Sequence, residues 1–397
     1  MRKGWEYKKL GEVCDVINGL WIGKKEPFIN VAVIRNTNFS KDCQLNLDKV
    51  AFIDVEVKQF ASKKLKFGDI IIEKSGGSEK QPVGRPILFN ISDGNYSFSN
   101  FTSTLRIKDN TEVNSAYLHK CLYAFYLKGE TIKLQSKTTG LHNLNIKGYL
   151  RLNIPLPPLS TQLAIVSELD KINKLIRLKK EQLKDFDNLA QSLFYEMFGD
   201  PVENEKGWEA KKLGDVCTDI KYGTSKPASE NGRYTYLRMC NLTTDGFLDL
   251  SNTKQIDIPD DEIEKCIVRY GDILFNRTNS IELVGKTCLF DKKEPMVIAG
   301  YIIRVRLNDT LLPVVLSRMF NLASIKKLLR SMAKGAVNQA NINSKELASI
   351  RIPLPPLSLQ RLFAQRIEQI EREKSEVQKS IQDFETLLAS RIQYWFE

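Results

Sequence analysis

The segment IPLPPLSTQ at residues 154–162 returns almost unchanged as IPLPPLSLQ at residues 352–360. Paired prolines are not accommodated inside a helix, so each copy marks the end of one folded part and the start of another. A long charged stretch with regularly spaced apolar residues follows each copy. These two points therefore divide the chain into halves of similar plan, and the remaining sequence is best compared across them.

Four further segments recur in the same order, which indicates that one fold has been duplicated. The pairs are WEYKKLGEVC (residues 5–14) with WEAKKLGDVC (208–217), FGDIIIEKS (67–75) with YGDILFNRT (270–278), VGRPILF (83–89) with VGKTCLF (284–290), and NLNIK (143–147) with NINSK (341–345). The distance in sequence between the two members of a pair changes little along the chain, from 203 residues (5 to 208) to 198 residues (154 to 352). So long a period excludes a solenoid of short repeats and predicts two domains that differ in their loops.

Each half begins with short segments rich in Ile, Val, Phe and Tyr, broken by Gly, Asn, Asp and Pro, which predict strands and turns. A helical stretch is expected before each proline run, at residues 116–134 and 314–332. The predicted fold class is α+β, with two duplicated, mixed and strand-rich globular domains separated by two long helices that form an antiparallel coiled coil. The predicted limits are 1–159 and 200–357 for the globular domains, and 160–199 and 358–397 for the helices, with Ser160 and Ser358 as helix N-caps.

Apolar residues in both helical stretches follow alternating steps of three and four over more than four heptads, which is typical of a coiled coil. The predicted helix-pair seam consists of Ile165, Leu169, Ile172, Ile176, Leu183, Phe186, Ile367, Ile370, Val377, Ile381, Phe384 and Leu388. A pseudo-two-fold relation between duplicated halves favours antiparallel pairing. Lys179 and Lys374 also fall on the seam, where their stems are expected to snorkel past apolar neighbours. Two amphipathic helices on separate cores are the alternative.

The charge balance favours a polyanionic partner such as nucleic acid. The 397 residues carry 59 Lys and Arg against 48 Asp and Glu, a net charge of +11. The excess is +9 in residues 1–159 and +3 in 199–357, against 0 in 160–198 and −1 in 358–397. The globular domains therefore hold the positive charge, and the neutral helices are expected to contact protein.

Composition excludes several classes of protein. No apolar run is long enough for a transmembrane helix, and no secretory signal opens the sequence, so we expect a cytoplasmic protein without a membrane partner. The seven cysteines are scattered without a C-x-x-C pair, which indicates reduced thiols and not a zinc site. With only His119 and His142, a histidine-rich metal centre is excluded.

No motif for self-contained chemistry stands out. The [DNS]-P-P-[YFW] motif that holds a flipped base in adenine methyltransferases is absent from the sequence. VGKT at residues 284–287 has half of a phosphate-binding loop, but Ser280 stands where its first glycine belongs. We therefore expect a non-catalytic protein that needs no cofactor of its own.

The duplicated order W-x-x-K-K-L-G-[ED]-V-C, then G-D-I-[IL], then P-L-P-P-L-S-x-Q before a long helix resembles the specificity subunit of type I restriction-modification systems. The resemblance covers both halves. It implies two target-recognition domains, each reading one half of a bipartite target in double-stranded DNA, on a helical spacer that docks two methyltransferase subunits. Restriction and translocase subunits can join such complexes, and S-adenosylmethionine would be bound by the methyltransferase. A specificity partner of a related defence system, or a coiled-coil protein scaffold, are the alternatives.

Comparing the two halves separates scaffold from specificity, because residues that differ at matched positions are the ones that can read different bases. Arginine pairs with guanine and asparagine with adenine, whereas lysine most often contacts phosphate. Three matched sets qualify: the polar loops after a buried strand, the Arg–Asn segments, and the basic stretches before NLN and NIN. The candidate DNA contacts are Arg35, Asn36, Lys74, Ser75, Ser78, Lys137, His142, Arg238, Asn241, Arg277, Thr278, Asn279, Lys334 and Gln339. Ordinary solvated loops are the alternative for each set.

Overall fold

The computed structural model describes the chain except for residues 1–3, 22, 24, 80, 110, 139–140 and 337–338, and the side chains of residues 138, 334 and 336. The chain forms two compact units. Unit 1 comprises Met1–Lys179 with Ser380–Glu397, and unit 2 comprises Lys180–Lys379. These units follow packing, whereas the limits drawn from the sequence follow secondary structure and stay a prediction.

Unit 1 is built mainly of short strands. They are β1 (Glu6–Lys9), β2 (Cys14–Asn18), β3 (Phe28–Ile34), β4 (Ala51–Glu56), β5 (Ile70–Glu73), β6 (Ser75–Gly77), β7 (Pro86–Leu88), β8 (Tyr96–Phe98), β9 (Thr102–Ile107), β10 (Gln135–Thr138), β11 (Leu141–Leu144) and β12 (Asn153–Leu156). Its helices are α1 (Leu10–Val13), α2 (Val57–Lys63), α3 (Ser115–Leu127), α4 (Ile146–Tyr149) and the first half of α5 (Leu159–Phe198). The strands form sheets in the orders β2-β9-β5-β7, β4-β3-β8, β10-β11-β6 and β1-β12.

Unit 2 repeats this plan. Its strands are β13 (Ala210–Lys212), β14 (Cys217–Tyr222), β15 (Tyr234–Leu237), β16 (Lys254–Ile256), β17 (Ile267–Val268), β18 (Ile273–Asn276), β19 (Thr278–Asn279), β20 (Thr287–Leu289), β21 (Met296–Ile298), β22 (Ile302–Leu307), β23 (Lys334–Ala336), β24 (Gln339–Asn341) and β25 (Arg351–Pro353). Its helices are α6 (Ile263–Cys266), α7 (Pro313–Phe320), α8 (Ala323–Met332) and α9 (Ser344–Ser349), and α10 (Leu357–Phe396) closes the chain. The sheet orders are β14-β22-β18-β20, β16-β15-β21-β17, β19-β24-β23 and β13-β25. Among the described residues, the short strand β17 is the one strand of unit 2 without a counterpart in unit 1.

The matched inner strands β5 and β18 are covered on both faces of their sheets. Residues 70–72 of β5 are all fully buried. Ile71 joins one apolar cluster and its two neighbours join another, because successive side chains of a strand point to opposite faces. In β18, Leu274 likewise faces one cluster while Ile273 and Phe275 face the second. This arrangement explains the continuous apolar runs that follow GD in both halves.

The helix before each proline run differs between the units. Unit 1 has the single helix α3, whereas unit 2 has α7 and α8 with a break at Asn321. The Asn321 amide donates to the carbonyls of Ser317 and Thr287, which terminates α7. One continuous helix over residues 314–332 was therefore a wrong prediction.

The prediction that Ser160 and Ser358 cap the long helices was also wrong. Helix α5 begins at Leu159, and the carbonyl of Pro158 accepts hydrogen bonds from the first free amides of the helix. Pro356 has the same role before α10. A proline is suited to this place because its missing N–H would have had no helical partner.

The glutamine that ends each PLPPLSxQ segment ties the helix start to the segment before α3 or α7. In unit 1, Gln162 accepts a hydrogen bond from the Asn114 amide at 2.9 Å, and its Nε2 donates to the carbonyls of Glu112 and Pro157. In unit 2, Gln360 makes the same three bonds to Leu312, Thr310 and Pro355. Both side chains are buried, so every polar atom of each amide group has a partner where water has no access.

The long helices pack against each other, as predicted, and run antiparallel. In unit 2, Lys374 of α10 forms an ion pair with Asp187 of α5 at 2.6 Å. Phe363, eleven residues before Lys374, packs on Phe198, eleven residues after Asp187, so the two helices run in opposite directions. In unit 1, Arg391 of α10 binds the Glu168 carboxylate of α5. The ammonium group of Lys374 therefore meets a carboxylate of the other helix, and it also lies 4.7 Å from the centroid of the Phe247 ring.

None of the twelve predicted seam residues is exposed. Leu183, Phe186, Phe384 and Leu388 are half-buried, and the other eight are buried. No described helix combines the length and apolar character that a membrane crossing requires.

Candidate nucleic-acid interface

The three-stranded sheet β10-β11-β6 brings candidate residues from distant segments together in unit 1. Lys137 of β10 lies opposite His142 of β11, and Asn143 of β11 lies opposite Ser75 of β6. The Ser75 hydroxyl donates to the Asn143 side-chain oxygen at 2.5 Å. The basic stretch and the segment after the buried strand therefore form one surface, although more than 60 residues separate them in the sequence.

The Arg–Asn segment of unit 1 reaches the same surface. The Asn36 amide donates to the Ser75 carbonyl at 2.6 Å, while Arg35 beside it is exposed. Residues 75–77 were predicted as a loop, but they form strand β6 because β11 provides its hydrogen-bond partner. Of this segment, Ser78 stays exposed, and its hydroxyl accepts the Gln81 amide.

Unit 2 builds the equivalent sheet β19-β24-β23 with different side chains. The Thr278 hydroxyl donates to the Asn341 side-chain oxygen at 2.8 Å, which repeats the bond between Ser75 and Asn143. Thr278 is buried and lies in strand β19, so its prediction as a loop residue was wrong, whereas its predicted DNA contact stays a prediction. Asn279 donates to the Asn276 side chain, and Gln339 is exposed on β24.

Asn241 is not available to DNA in this structure. It is buried, its Oδ1 accepts from the Arg238 amide at 2.8 Å, and its Nδ2 donates to the carbonyls of Asp249 and Asn252. Asn38 makes the same kind of cap in unit 1. Asn241 therefore stabilises a one-turn 3-10 helix, and its contact with DNA stays a prediction.

The basic candidate residues of unit 1 differ in their exposure and in the groups that they contact. Lys137 is exposed and lies 3.2 Å from Glu79. Lys74 is half-buried, and burial, together with the charge of Lys63, lowers the pKa of its ammonium group. The ring of His142 contacts the Gln135 side chain at 3.3 Å.

In unit 2, the two candidate arginines, Arg238 and Arg277, contact uncharged neighbours. Arg238 donates to the carbonyl and the side chain of Asn252 at 2.8 and 3.2 Å. Arg277 lies over the ring of Tyr222, 4.8 Å from its centroid. Lys334 lies on β23, but its side chain is outside the described residues.

Aromatic side chains border these surfaces, and sequence reasoning missed Phe101 and Tyr301. Phe101 is 44% exposed and lines a cavity of about 320 Å³ together with Arg35, Asn36 and the 65% exposed Trp21. Tyr301 is 52% exposed at the matched position of unit 2. Their signal is an aromatic residue in a turn between two apolar strands, where burial is not expected.

Buried ion pairs hold the frame behind the surfaces. Asp69 of the first GD pair binds Arg106 at 2.7 Å and raises the pKa of the Arg106 guanidinium. Asp272 of the second GD pair binds Arg306 at 2.8 Å. These matched pairs explain why GD recurs. The Glu73 carboxylate, by contrast, is paired with Arg85, and unit 2 has Asn276 and Lys286 at these positions.

The described residues contain no group of three His, Cys, Asp or Glu that could hold a metal ion. His119 is buried against the Pro86 carbonyl, and burial lowers its pKa to about 4, so the ring is neutral at pH 7. The seven free cysteines form no disulfide, and only Cys240 is exposed.

Comparison with known proteins gives one family for nearly the whole chain. The type I restriction modification DNA specificity domain matches residues 2–185 and again residues 205–383. The EcoKI type I restriction enzyme specificity subunit of Escherichia coli K12 is 25% identical over 403 residues, covering 96% of this chain and 84% of its own. The StySPI specificity subunit of Salmonella potsdam is 25% identical over 417 residues, covering 98% and 87%.

Two solved structures share the fold. One, from a study of complex assembly and conformational transition in a type I R-M system, aligns with a TM-score of 0.63 at 20% identity over 100% of this chain and 98% of its own. The other, a type I restriction-modification S subunit from M. genitalium, has a TM-score of 0.53 at 15% identity over 99% and 96%.

Proposed function

Because the chain belongs to the type I restriction modification DNA specificity family, we propose that it selects the DNA target of a type I restriction-modification complex. Each unit reads one half of a bipartite target in double-stranded DNA. The carrying observation is that both units assemble the same small sheet, β10-β11-β6 or β19-β24-β23, from distant segments and furnish it with different side chains. A shared frame with different polar groups is what two different half-sites require.

The surface groups divide by the type of contact for which they are suited. Arg35, which is exposed beside a cavity with two exposed aromatic rings, and Arg277 are suited to reading bases. Exposed lysines such as Lys137 are suited to phosphate. The remaining members of the proposed interface are Asn36, Lys74, Ser75, Ser78, His142, Arg238, Asn279, Lys334 and Gln339.

The two long helices set the distance between the half-sites and dock two methyltransferase subunits, to which restriction subunits can add. Net-neutral helices with large exposed apolar residues support a protein-contacting role. Leucines between 41% and 50% exposed occur along both helices, namely Leu163, Leu175, Leu178, Leu189, Leu362 and Leu387. Methyl transfer, and the S-adenosylmethionine that it uses, belong to the partner subunits in this proposal, and this chain contributes recognition alone.

The proposal is tested by selection from randomised double-stranded DNA with the complex of this chain and its methyltransferase subunits. We expect two short half-sites separated by a fixed gap, with an affinity that falls steeply as salt rises. Replacing residues 200–357 with the equivalent domain of another specificity subunit changes one half-site and leaves the other intact. A complex that enriches no sequence contradicts the proposal and favours a protein scaffold.

The spacer function is tested separately by inserting seven residues after Lys179 and seven after Lys379. One heptad preserves the seam and lengthens each helix by about 10 Å, which equals roughly 3 base pairs of DNA. We expect unchanged half-sites with a wider gap. A seven-residue insertion in the exposed segment 293–295 serves as the control, since it leaves the helices intact. Changed half-sites with an unchanged gap would contradict the spacer function.

A further inference from the structure

Lys74 and Arg277 occupy the same backbone frame in the two units. The Lys74 amide donates to the Phe101 carbonyl at 2.9 Å, and its carbonyl accepts from Leu144 at 2.8 Å. The Arg277 amide donates to the Tyr301 carbonyl at 3.0 Å, and its carbonyl accepts from Ile342 at 2.9 Å. Both units therefore present this side chain from one fixed position, between the central strand and the small sheet.

The side-chain surroundings of this position differ between the units. In unit 2, the guanidinium of Arg277 stacks on Tyr222, and the Tyr222 hydroxyl accepts a hydrogen bond at 2.8 Å from the amide of Ser344, at the start of α9. In unit 1, Asn18 stands at the position of Tyr222 and contacts the Ser103 hydroxyl instead. At this position, unit 2 thus holds a guanidinium on a tyrosine ring whose hydroxyl is itself fixed by a hydrogen bond.

The charge of Arg277 is not neutralised by the protein. Neighbouring arginines of unit 2 are paired with carboxylates, Arg304 with Asp219 and Arg306 with Asp272. Among the described residues, no carboxylate lies within ion-pair distance of Arg277. The Arg277 guanidinium donates a long hydrogen bond of 3.4 Å to the Gly300 carbonyl. Its Nε is buried without a hydrogen-bond partner. A guanidinium that is held in place on a ring, without a carboxylate partner among the described residues, is suited to an incoming acceptor.

We propose that Arg277 recognises a guanine in the half-site read by unit 2, and that Tyr222 is the positioning residue that aligns its guanidinium. The proposal rests on the function proposed above and adds a base and the residues that select it. The planar fork of arginine matches the O6 and N7 acceptors of guanine in the major groove, an arrangement that lysine does not reproduce with its single ammonium group. Stacking on Tyr222 reduces the freedom that the side chain would lose on binding.

The test is the same DNA selection, with the full complex carrying Arg277→Lys. This change keeps the charge and removes the fork. We expect the preference for guanine at one position of one half-site to fall about 5- to 150-fold, with the other half-site unchanged. Tyr222→Leu removes the ring, so the same position should lose about 2- to 30-fold, whereas Tyr222→Phe keeps the ring and should retain most of the preference.

Lys74→Arg in unit 1 is the matched control, and it should leave the unit 2 half-site unchanged. In the Arg277 and Tyr222 variants, the intact half-site of unit 1 shows that the complex is assembled. The proposal is overturned if Arg277→Lys retains the same base preference, if affinity falls equally for all sequences as for a phosphate contact, or if no guanine occurs in either half-site. A wild-type complex that enriches no site at all defeats the recognition function itself, which is a distinguishable result.

Discussion

Removing the Gln360 side chain should weaken unit 2 without affecting unit 1. Gln360→Ala deletes three hydrogen bonds at a buried position: those to the Leu312 amide and to the carbonyls of Thr310 and Pro355. Each such bond contributes about 1 kcal/mol net, and a buried group left without a partner costs about 1 to 3 kcal/mol. We expect a loss of about 3 to 5 kcal/mol in the unfolding free energy of unit 2.

Gln360→Glu separates hydrogen bonding from packing, because it keeps the volume but replaces the NH2 group, which donates both bonds, with an oxygen atom that faces two carbonyls. We expect it to destabilise at least as much as Gln360→Ala at pH 7. Gln378→Ala, at an exposed site on the same helix, is the control and should change the unfolding free energy by no more than about 0.5 kcal/mol.

Native-state hydrogen exchange gives the local readout. A loss of 3 to 5 kcal/mol corresponds to exchange about 10² to 10³·⁵ times faster at the Leu312 amide, with the Asn114 amide unaffected. Gln162→Ala should reverse the pattern, since Gln162 binds Asn114 in unit 1. If Gln360→Ala leaves Leu312 as well protected as Gln378→Ala does, the glutamine does not hold the helix start and the reasoning is refuted.

Three further results follow from individual contacts. Lys374→Ala should lower the unfolding free energy of unit 2 by about 1 to 2 kcal/mol, since the lysine side of its ion pair with Asp187 is largely buried. A double-mutant cycle with Asp187→Ala should show coupling between the two residues, and additive effects would contradict this. The hydrogen bond from Arg391 lowers the pKa of Glu168, so its stabilising effect is full above the ordinary value of 4.5 and is lost as the pH falls below it. The difference in melting temperature between wild type and Glu168→Gln should therefore close as the pH falls below 4.5, and a constant difference would argue against it. At pH 8, a thiol reagent should modify Cys240 rapidly and the other six cysteines slowly. The reason is that burial raises the pKa of the slow thiols, for example that of Cys14 to about 12. A second cysteine that reacts as fast as Cys240 would disprove this prediction.

Elements with a long or repeated pattern were predictable from the sequence. The heptads identify the two long helices, and internal repetition identifies the duplicated strand-rich units. The small sheet that carries the interface was not predictable. Its strands β6 and β19 have three and two residues, and their partners lie more than 60 residues away, so no local periodicity reveals the pairing.

Comparison of the two copies was informative where it was applied consistently. Asn38 and Asn241 are identical at matched positions, which by that criterion indicates scaffold, and the structure buries both as caps. Thr278 was assigned to a loop because a polar run follows a buried strand, yet long-range pairing buries it. Phe101 and Tyr301 were missed because the aromatic residues were interpreted as core, although their position in a turn between two apolar strands indicates exposure.

The most direct test of the central claim is the methylome of a strain that carries this chain with its methyltransferase, compared with a strain that lacks this chain alone. Target selection by two units predicts the loss of one split adenine-methylation motif and no other change, and the two half-sites are read from the same data. An unchanged methylome, with the chain expressed and the methyltransferase active, would contradict it.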